Sequence, residues 1–322
     1  MGPSTNRRTF LKDCSASASA VVLAGSTAAA TASATEEGTT PYLCVTCGTQ
    51  FTETARPPAA CPICEDERQY VPPEGQAWTT LAALHATHKV AIRAEEEGLH
   101  SINVEPKFGI GQRAFLIGTP EGNVLWDCVA PIDPATIARV RGLGGIAEIA
   151  VSHPHYYTTM VEWARAFDAP IHIHEAERRW VMRPDPKVQF WSGEEKGLRG
   201  GLKLVRSGGH FEGYQVLHWP AGAGGRGALM AGDQPQICMD PKQVSFMYSY
   251  PNYIPLDPDA IRRVARSLAP LPFDRLYGAF FIRGKGIIPR DAKAVVDRSV
   301  ARYLRAIDAG PADIQRHDVT NG

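Results

Sequence analysis

The stretch 149-IAVSHPHYYTTMVEW-163 decides how this chain is read. An apolar run closes on Ser152. His153 and His155 then stand one residue apart, and helical patterning follows. In a strand, His-x-His, helix sequence both imidazoles project from the carboxyl end of a buried strand, the edge where α/β folds place ligand sites. Two histidines at this spacing can grip one cation. The alternative reading is a pair of solvated loop histidines.

Working outward, the chain alternates between two periods. Residues 113–128, RAFLIGTPEGNVLWDC, are two apolar runs around a Thr-Pro-Glu-Gly-Asn turn, a hairpin signal. A helix with proline in its first turn is predicted over 134–143, a buried strand over 147–152, a helix over 158–167 and a strand over 170–174. Strands are expected at 214–219 and 227–233, a helix near 257–268, a strand at 274–281 and a closing helix at 290–308. No repeat at a solenoid period is visible. Such alternation argues an α/β sandwich.

The bulk numbers bound the function. With 322 residues the chain can hold one large domain or two moderate ones. Its 34 basic and 34 acidic residues cancel, so no global field draws nucleic acid or anionic lipid. No nucleic-acid partner is expected; the expected partner is a small-molecule substrate. Residues 1–34 resemble a twin-arginine export signal: Arg7-Arg8 precede Phe10-Leu11-Lys12, a modest apolar stretch follows, and Ala32-Ser33-Ala34 offers a small-residue cleavage site. That stretch holds too many Ser, Thr and Gly for a permanent membrane span. The expected location is therefore periplasmic or extracellular, with no membrane attachment after cleavage and a mature net charge of −2.

Four of the seven cysteines lie in 44-CVTCG-48 and 61-CPICE-65. Each CxxC pair can form a knuckle whose thiolates face one ion, and two knuckles complete a tetrahedral S4 site. The module over residues 35–75 resembles zinc ribbons and rubredoxin-like modules, and its short spacer favours zinc over redox iron. An iron site and two disulfides are the other readings of Cys44, Cys47, Cys61 and Cys64. A closed S4 site is structural, and the metal supplies folding free energy that some thirty residues cannot find in a core. A docking or lid role against the larger domain is expected.

Over roughly residues 100–310 the order of motifs is similar to the metallo-β-lactamase fold superfamily. The hairpin ends in Asp127, and 149-IAVSHPHYYT-158, 208-GGHFEGYQVLHW-219 and 229-LMAGD-233 follow. The resemblance implies an αββα sandwich over 76–322. It also implies a first-metal set of His153, His155 and His210, with Asp233 as the bridging acid. The second-metal set is missing. Tyr157 and Thr158 stand where the family has Asp and His, and 278-GAFFIRGKG-286 lacks the last Gly-His. Three imidazoles leave a position open for water, which a zinc ion would acidify. Asp233 is then a fourth ligand or a hydrogen-bonding base, and Tyr157 an oxyanion donor or a packed aromatic.

The resemblance implies that Asp127 orients a metal histidine. His174 is read as structural or as supporting the pocket. Tyr248 and Tyr250, in an aromatic loop after Asp233, wall a substrate pocket or belong to core. Arg283 and Lys285 hold an anionic substrate group or form a solvated turn. The expected activity is zinc-dependent hydrolysis of an ester, thioester, lactone or amide, with one zinc in each site. The alternatives are a non-catalytic scaffold with the ribbon as docking module, and an oxidoreductase like the flavodiiron proteins.

Overall fold

The computed structural model describes residues 38–281 and 286–307. The export signal, Arg283 and Lys285 lie outside the described residues. Among these residues the chain forms two large sheets. The first is built from β1 (Lys89–Glu96), β2 (Leu99–Glu105), β3 (Ala114–Ile117), β4 (Val124–Trp126), β5 (Glu148–Ala150), β6 (Ile171–His174) and β7 (Val188–Trp191), in that spatial order. The pairs from β1 to β4 are antiparallel, and β4 to β7 run parallel. The second sheet holds β8 (Glu195–Gly197), β9 (Lys203–Arg206), β10 (Gln215–Trp219), β11 (Ala228–Gly232), β12 (Arg275–Gly278) and β13 (Ile287–Ile288). Here β11 and β12 are the parallel pair.

Alternation along the strands explains the layering. Phe115, Ile117, Val124 and Trp126 from the first sheet pack with Leu204, Leu217, Met230 and Tyr277 from the second, all buried. The intervening residues Leu116, Leu125 and Leu229 face the other way, into the cluster that also takes in residues of the helices. Those helices are α1 (Pro134–Gly142), α2 (Met160–Phe167), α3 (Pro258–Leu268) and α4 (Ala292–Ile307). Asp133 caps α1, accepting from Thr136 N–H at 2.7 Å, and Asp257 caps α3, accepting from Ala260 N–H at 3.0 Å. The fold is the αββα metallo-β-lactamase-like sandwich, with the four-cysteine ribbon ahead of it.

The elements expected from residue 113 onward are all present. Within the two large sheets β1, β2 and the short β7, β8, β9 and β13 are additional. β1 sits at a sheet edge with no regular burial alternation, so period two leaves little trace in its sequence. The ribbon is not a separate body, because the described residues from 38 onward form one compact unit. Its first strand, Leu43–Cys44, pairs with Trp78–Thr79. Arg183, buried, donates through Nη1 to Gln50 and Glu162 at 2.5 Å each and through Nη2 to Glu53 at 2.8 Å. One guanidinium thus ties two ribbon residues to α2.

Leu217→Ala opens a cavity between the sheets. It should cost about 2–5 kcal/mol, read as a lower urea midpoint with an unchanged slope.

Candidate metal centre

Parallel strands deliver the site. Asp127 follows β4, His153 follows β5, and Asp233 follows β11, all at carboxyl ends. His210 comes from the loop between β9 and β10. One donor atom from each of His153, His155, His210 and Asp233 lies within 4.8 Å of the others, and all four residues are buried. His210 Nε2 is 3.3 Å from His155 Nδ1, and His153 Nε2 is 3.3 Å from Asp233 Oδ2. Donors about 2.0–2.1 Å from one tetrahedral ion would stand about 3.3–3.4 Å apart.

The surroundings settle which ring nitrogens are free. His210 Nδ1 donates to the Tyr248 and Met247 carbonyls at 2.8 and 3.1 Å, so its proton sits there and the Nε2 lone pair faces the cluster. His153 Nδ1 is 2.8 Å from Ser152 Oγ, and its Nε2 has no hydrogen-bond partner. Asp127 accepts from Ser152 N–H at 2.7 Å, so it acts on His153 through Ser152. Burial pushes the Asp127 carboxyl up to about 8, against the hydrogen bonds from Ser152. Burial also lowers all three imidazoles, His210 to about 3, which keeps them neutral. Burial opposes ionisation of Asp233, but the adjoining His153 and His210 rings and the hydrogen bond from Tyr156 outweigh it and hold its carboxyl below the usual range. Three neutral imidazoles and one carboxylate, with orphaned buried nitrogens between them, fit a divalent cation.

Two further residues lock the Asp233 turn. Tyr214 OH accepts from Asp233 N–H at 2.7 Å and Gln234 N–H at 2.9 Å, and donates to the Ala231 carbonyl at 2.7 Å. A side chain on Gly232 would put its Cβ 2.6 Å from that hydroxyl, which is why glycine precedes the aspartate. Gln234 bridges the two loops, accepting from His210 N–H at 3.1 Å and donating to the Gly208 carbonyl at 2.6 Å.

Several expectations about the surroundings change. Tyr157 does not line the cavity: it is buried, and its hydroxyl has no partner. Tyr156 donates to Asp233 Oδ1 instead. Residues Pro154–Tyr156 form a 3-10 turn, in which positions three apart eclipse, so Tyr156 stacks beside His153 at 4.4 Å. His174 bonds the Gly193 carbonyl at 3.1 Å and Ala176 N–H at 3.2 Å, and touches none of the four candidate ligands. Tyr250 lines the cavity and donates to the Asp233 carbonyl at 2.6 Å. The Tyr248 hydroxyl turns away to Glu67, at 2.7 Å. Tyr156, Ser152, Tyr214 and Gln234 were not singled out from sequence; only Tyr156, three residues after His153, carried a local signal.

The cavity above the cluster holds about 190 Å³. Its floor is His155, His210 and Asp233, and Tyr250 and Phe280 form apolar walls. Thr46, Arg68, Gln69 and Tyr70 come from the ribbon. Within the ribbon, Cys44 Sγ lies 3.5 Å from Cys64 Sγ, and Cys47 Sγ 3.7 Å from Cys61 Sγ. These separations are far beyond a disulfide bond and near the roughly 3.8 Å edge of a tetrahedral zinc–sulfur site. Hydrogen bonds from the neighbouring thiols push Cys44 below the usual thiol range. All four donors fit one ion.

No family model matches the sequence. The uncharacterized protein YmaE of Bacillus subtilis (strain 168) is 48% identical over 270 residues, 83% of this chain and 97% of that protein. The chain belongs to the YmaE family. Residues 76–322 number only 247, so the match must reach back to about residue 53, across Cys61, Cys64 and Arg68. Among solved structures, the DIM-1 metallo-β-lactamase is similar, at 14% identity and a TM-score of 0.51. It matches over 68% of this chain and 98% of its own. The same enzyme exposed to ceftazidime gives a TM-score of 0.50, also at 14% identity, over 68% of this chain and 98% of its own. These likenesses establish the fold.

The depressed imidazoles set a pH dependence. Unfolded, each ring takes up a proton below about pH 6.5; folded, His210 does so only near 3. The metal-free protein should therefore keep this stability above about pH 6.5 and lose it progressively as the pH falls toward 3. Urea midpoints against pH should show that acid limb, and it should be shallower in His210→Gln.

Proposed function

We propose that the chain is a zinc-dependent hydrolase with one ion in the histidine site, acting on a small ester, thioester, lactone or amide. The observation that carries this reading is the convergence of four buried donors at the floor of an apolar-walled cavity, three of them with their other polar atom already engaged. When bound there, zinc supplies Lewis acidity toward a carbonyl oxygen and acidifies water.

The chain's own residues do the rest. Tyr156 keeps its proton, because burial and the neighbouring Asp233 push its phenol well above the usual range. It therefore stays a donor and fixes the Asp233 carboxylate. Asp233 Oδ2 remains on the His153 side, ionised, where it can ligate or accept a proton. What supports a single ion is this division of Asp233: Tyr156 occupies the oxygen that a second metal would need. Phe280, Tyr250, Pro251 and Ile110 exclude water from the cavity. Gln236, whose Oε1 is buried without a partner, faces the cavity and orients a polar substrate group. At about 190 Å³ the space is below the ~300–1,000 Å³ of drug-sized ligand sites, so the substrate is small.

Metal analysis should find two zinc ions per wild-type chain and one in His210→Ala, with hydrolysis of small acyl substrates falling to background in that variant. A single ion in both proteins defeats this reading. We also propose export by the twin-arginine route, from Arg7 and Arg8. Changing both to Lys should hold the unprocessed chain in the cytoplasm on cell fractionation.

A further inference from the structure

The segment Asp66–Tyr70 follows the second cysteine knuckle directly and lies against the loop that presents His210. Arg68 is only 7% exposed. Its Nε and Nη2 donate to the two oxygens of Asp66 at 2.6 and 2.9 Å, and its Nη1 reaches the His210 main-chain carbonyl at 3.4 Å. The guanidinium lies 4.0 Å from the Phe211 ring centroid, with Tyr248 and Trp180 at 5.3 and 5.4 Å. Burial works against its charge, but the Asp66 carboxylate restores it.

The flanking residues make a second tie. Tyr248 OH donates to Glu67 at 2.7 Å. Asn252 Nδ2 donates to the Glu67 and Gln69 carbonyls at 2.8 and 2.9 Å. The Tyr248 carbonyl is the group that accepts from His210 Nδ1. His210 is therefore held from two sides by ribbon-anchored groups: its carbonyl by Arg68, and its ring by a loop pinned to Glu67 and Gln69. Neither tie passes through the sandwich alone. The geometry of the third imidazole depends on where the second knuckle sits, and Cys61 and Cys64 set that position.

We propose that Arg68 is a positioning residue for the histidine site, through which the ribbon sets that site's affinity for its ion. Filling of the cysteine site and filling of the histidine site are then coupled, and by linkage the coupling runs both ways. The inference rests on the single-ion reading of the histidine site and goes beyond it, since that reading needs only His153, His155, His210 and Asp233. Arg68→Ala removes the bracket and leaves every candidate ligand in place. Losing a group that orients a metal ligand typically weakens binding about 10–100-fold.

The test is cobalt(II) and zinc titration of the full chain against a chelator. Thiolate-to-cobalt absorption reports the cysteine site, and the uptake step that adds ligand-field bands without thiolate absorption reports the histidine site. The wild type should take up two ions. Arg68→Ala should keep the thiolate signal and bind its second ion about 10–100-fold more weakly, with shifted ligand-field bands. Arg68→Lys, which retains a cation over Phe211, should recover part of the loss. Cys61→Ser with Cys64→Ser should weaken the histidine site as well as empty the cysteine site. An unchanged second affinity in Arg68→Ala overturns the inference while leaving the proposed function standing. A wild type that binds only one ion overturns both. Should Arg68→Ala fail to fold, Tyr248→Phe, which cuts only the half-exposed tie to Glu67, decides the matter. A smaller weakening in the same direction supports coupling, and none overturns it.

Discussion

Four donor groups have been withdrawn from water and left facing one another, and the rest of the site is organised around that fact. A buried imidazole nitrogen or carboxylate without a partner costs several kcal/mol, more than one surface contact returns. Here the cost is concentrated at one point, because His153 Nε2 has no hydrogen bond and the other donors converge on the same space. A cation removes that cost at once. The supporting contacts all act to keep the rings neutral and aimed: Ser152 on one ring, the Met247 and Tyr248 carbonyls on another, and Tyr156 and Tyr214 on the acid and its turn.

The sandwich supplies the convergence cheaply. The first sheet begins antiparallel and ends parallel, and the second carries one parallel pair, β11 with β12, so β4, β5 and β11 deposit their next residues along one edge. Asp127 takes φ +60° immediately after β4, a left-handed turn that a short polar side chain tolerates and that brings its carboxylate under Ser152. From there the chain of contacts Asp127, Ser152, His153, Asp233, Tyr156 is continuous. It closes through a 3-10 turn that brings the first and last rings of 153–156 together. Such a loop of contacts commits Asp233 Oδ1 to Tyr156 and leaves Oδ2 facing the cluster.

Legibility in the sequence follows these distances along the chain. Period-two runs and Asp and Pro caps mark strands and helices locally, so most elements from residue 113 onward could be placed, whereas the short strands β7, β8, β9 and β13 could not. His153 and His155 announce themselves by spacing, whereas His210 and Asp233 were legible only through the family resemblance of the stretches 208–219 and 229–233. Tyr156 against Tyr157 could not be decided from a family pattern written for a different turn; only the 3-10 geometry separates them. Tyr214, Gln234 and Arg68 act across dozens or more than a hundred residues, and no local pattern encodes such pairings. Arg68 shows the limit plainly. In sequence it is one charge in an acidic neighbourhood, while in the fold it is a buried cation backing a candidate metal ligand.

That placement changes what the ribbon is for. A thirty-residue segment with four buried cysteines would gain its order from the ion they fit. Here the order is spent at an interface rather than within the module, since Gln50, Glu53, Glu67, Arg68 and Gln69 all bond outside it. The same segment contributes four residues to the cavity wall, so the cavity has its shape only while the knuckles hold theirs. A detachable docking module would present its polar groups to solvent and leave the pocket complete without it. This ribbon does the opposite on both counts, which makes it part of the site's construction rather than an attachment to it.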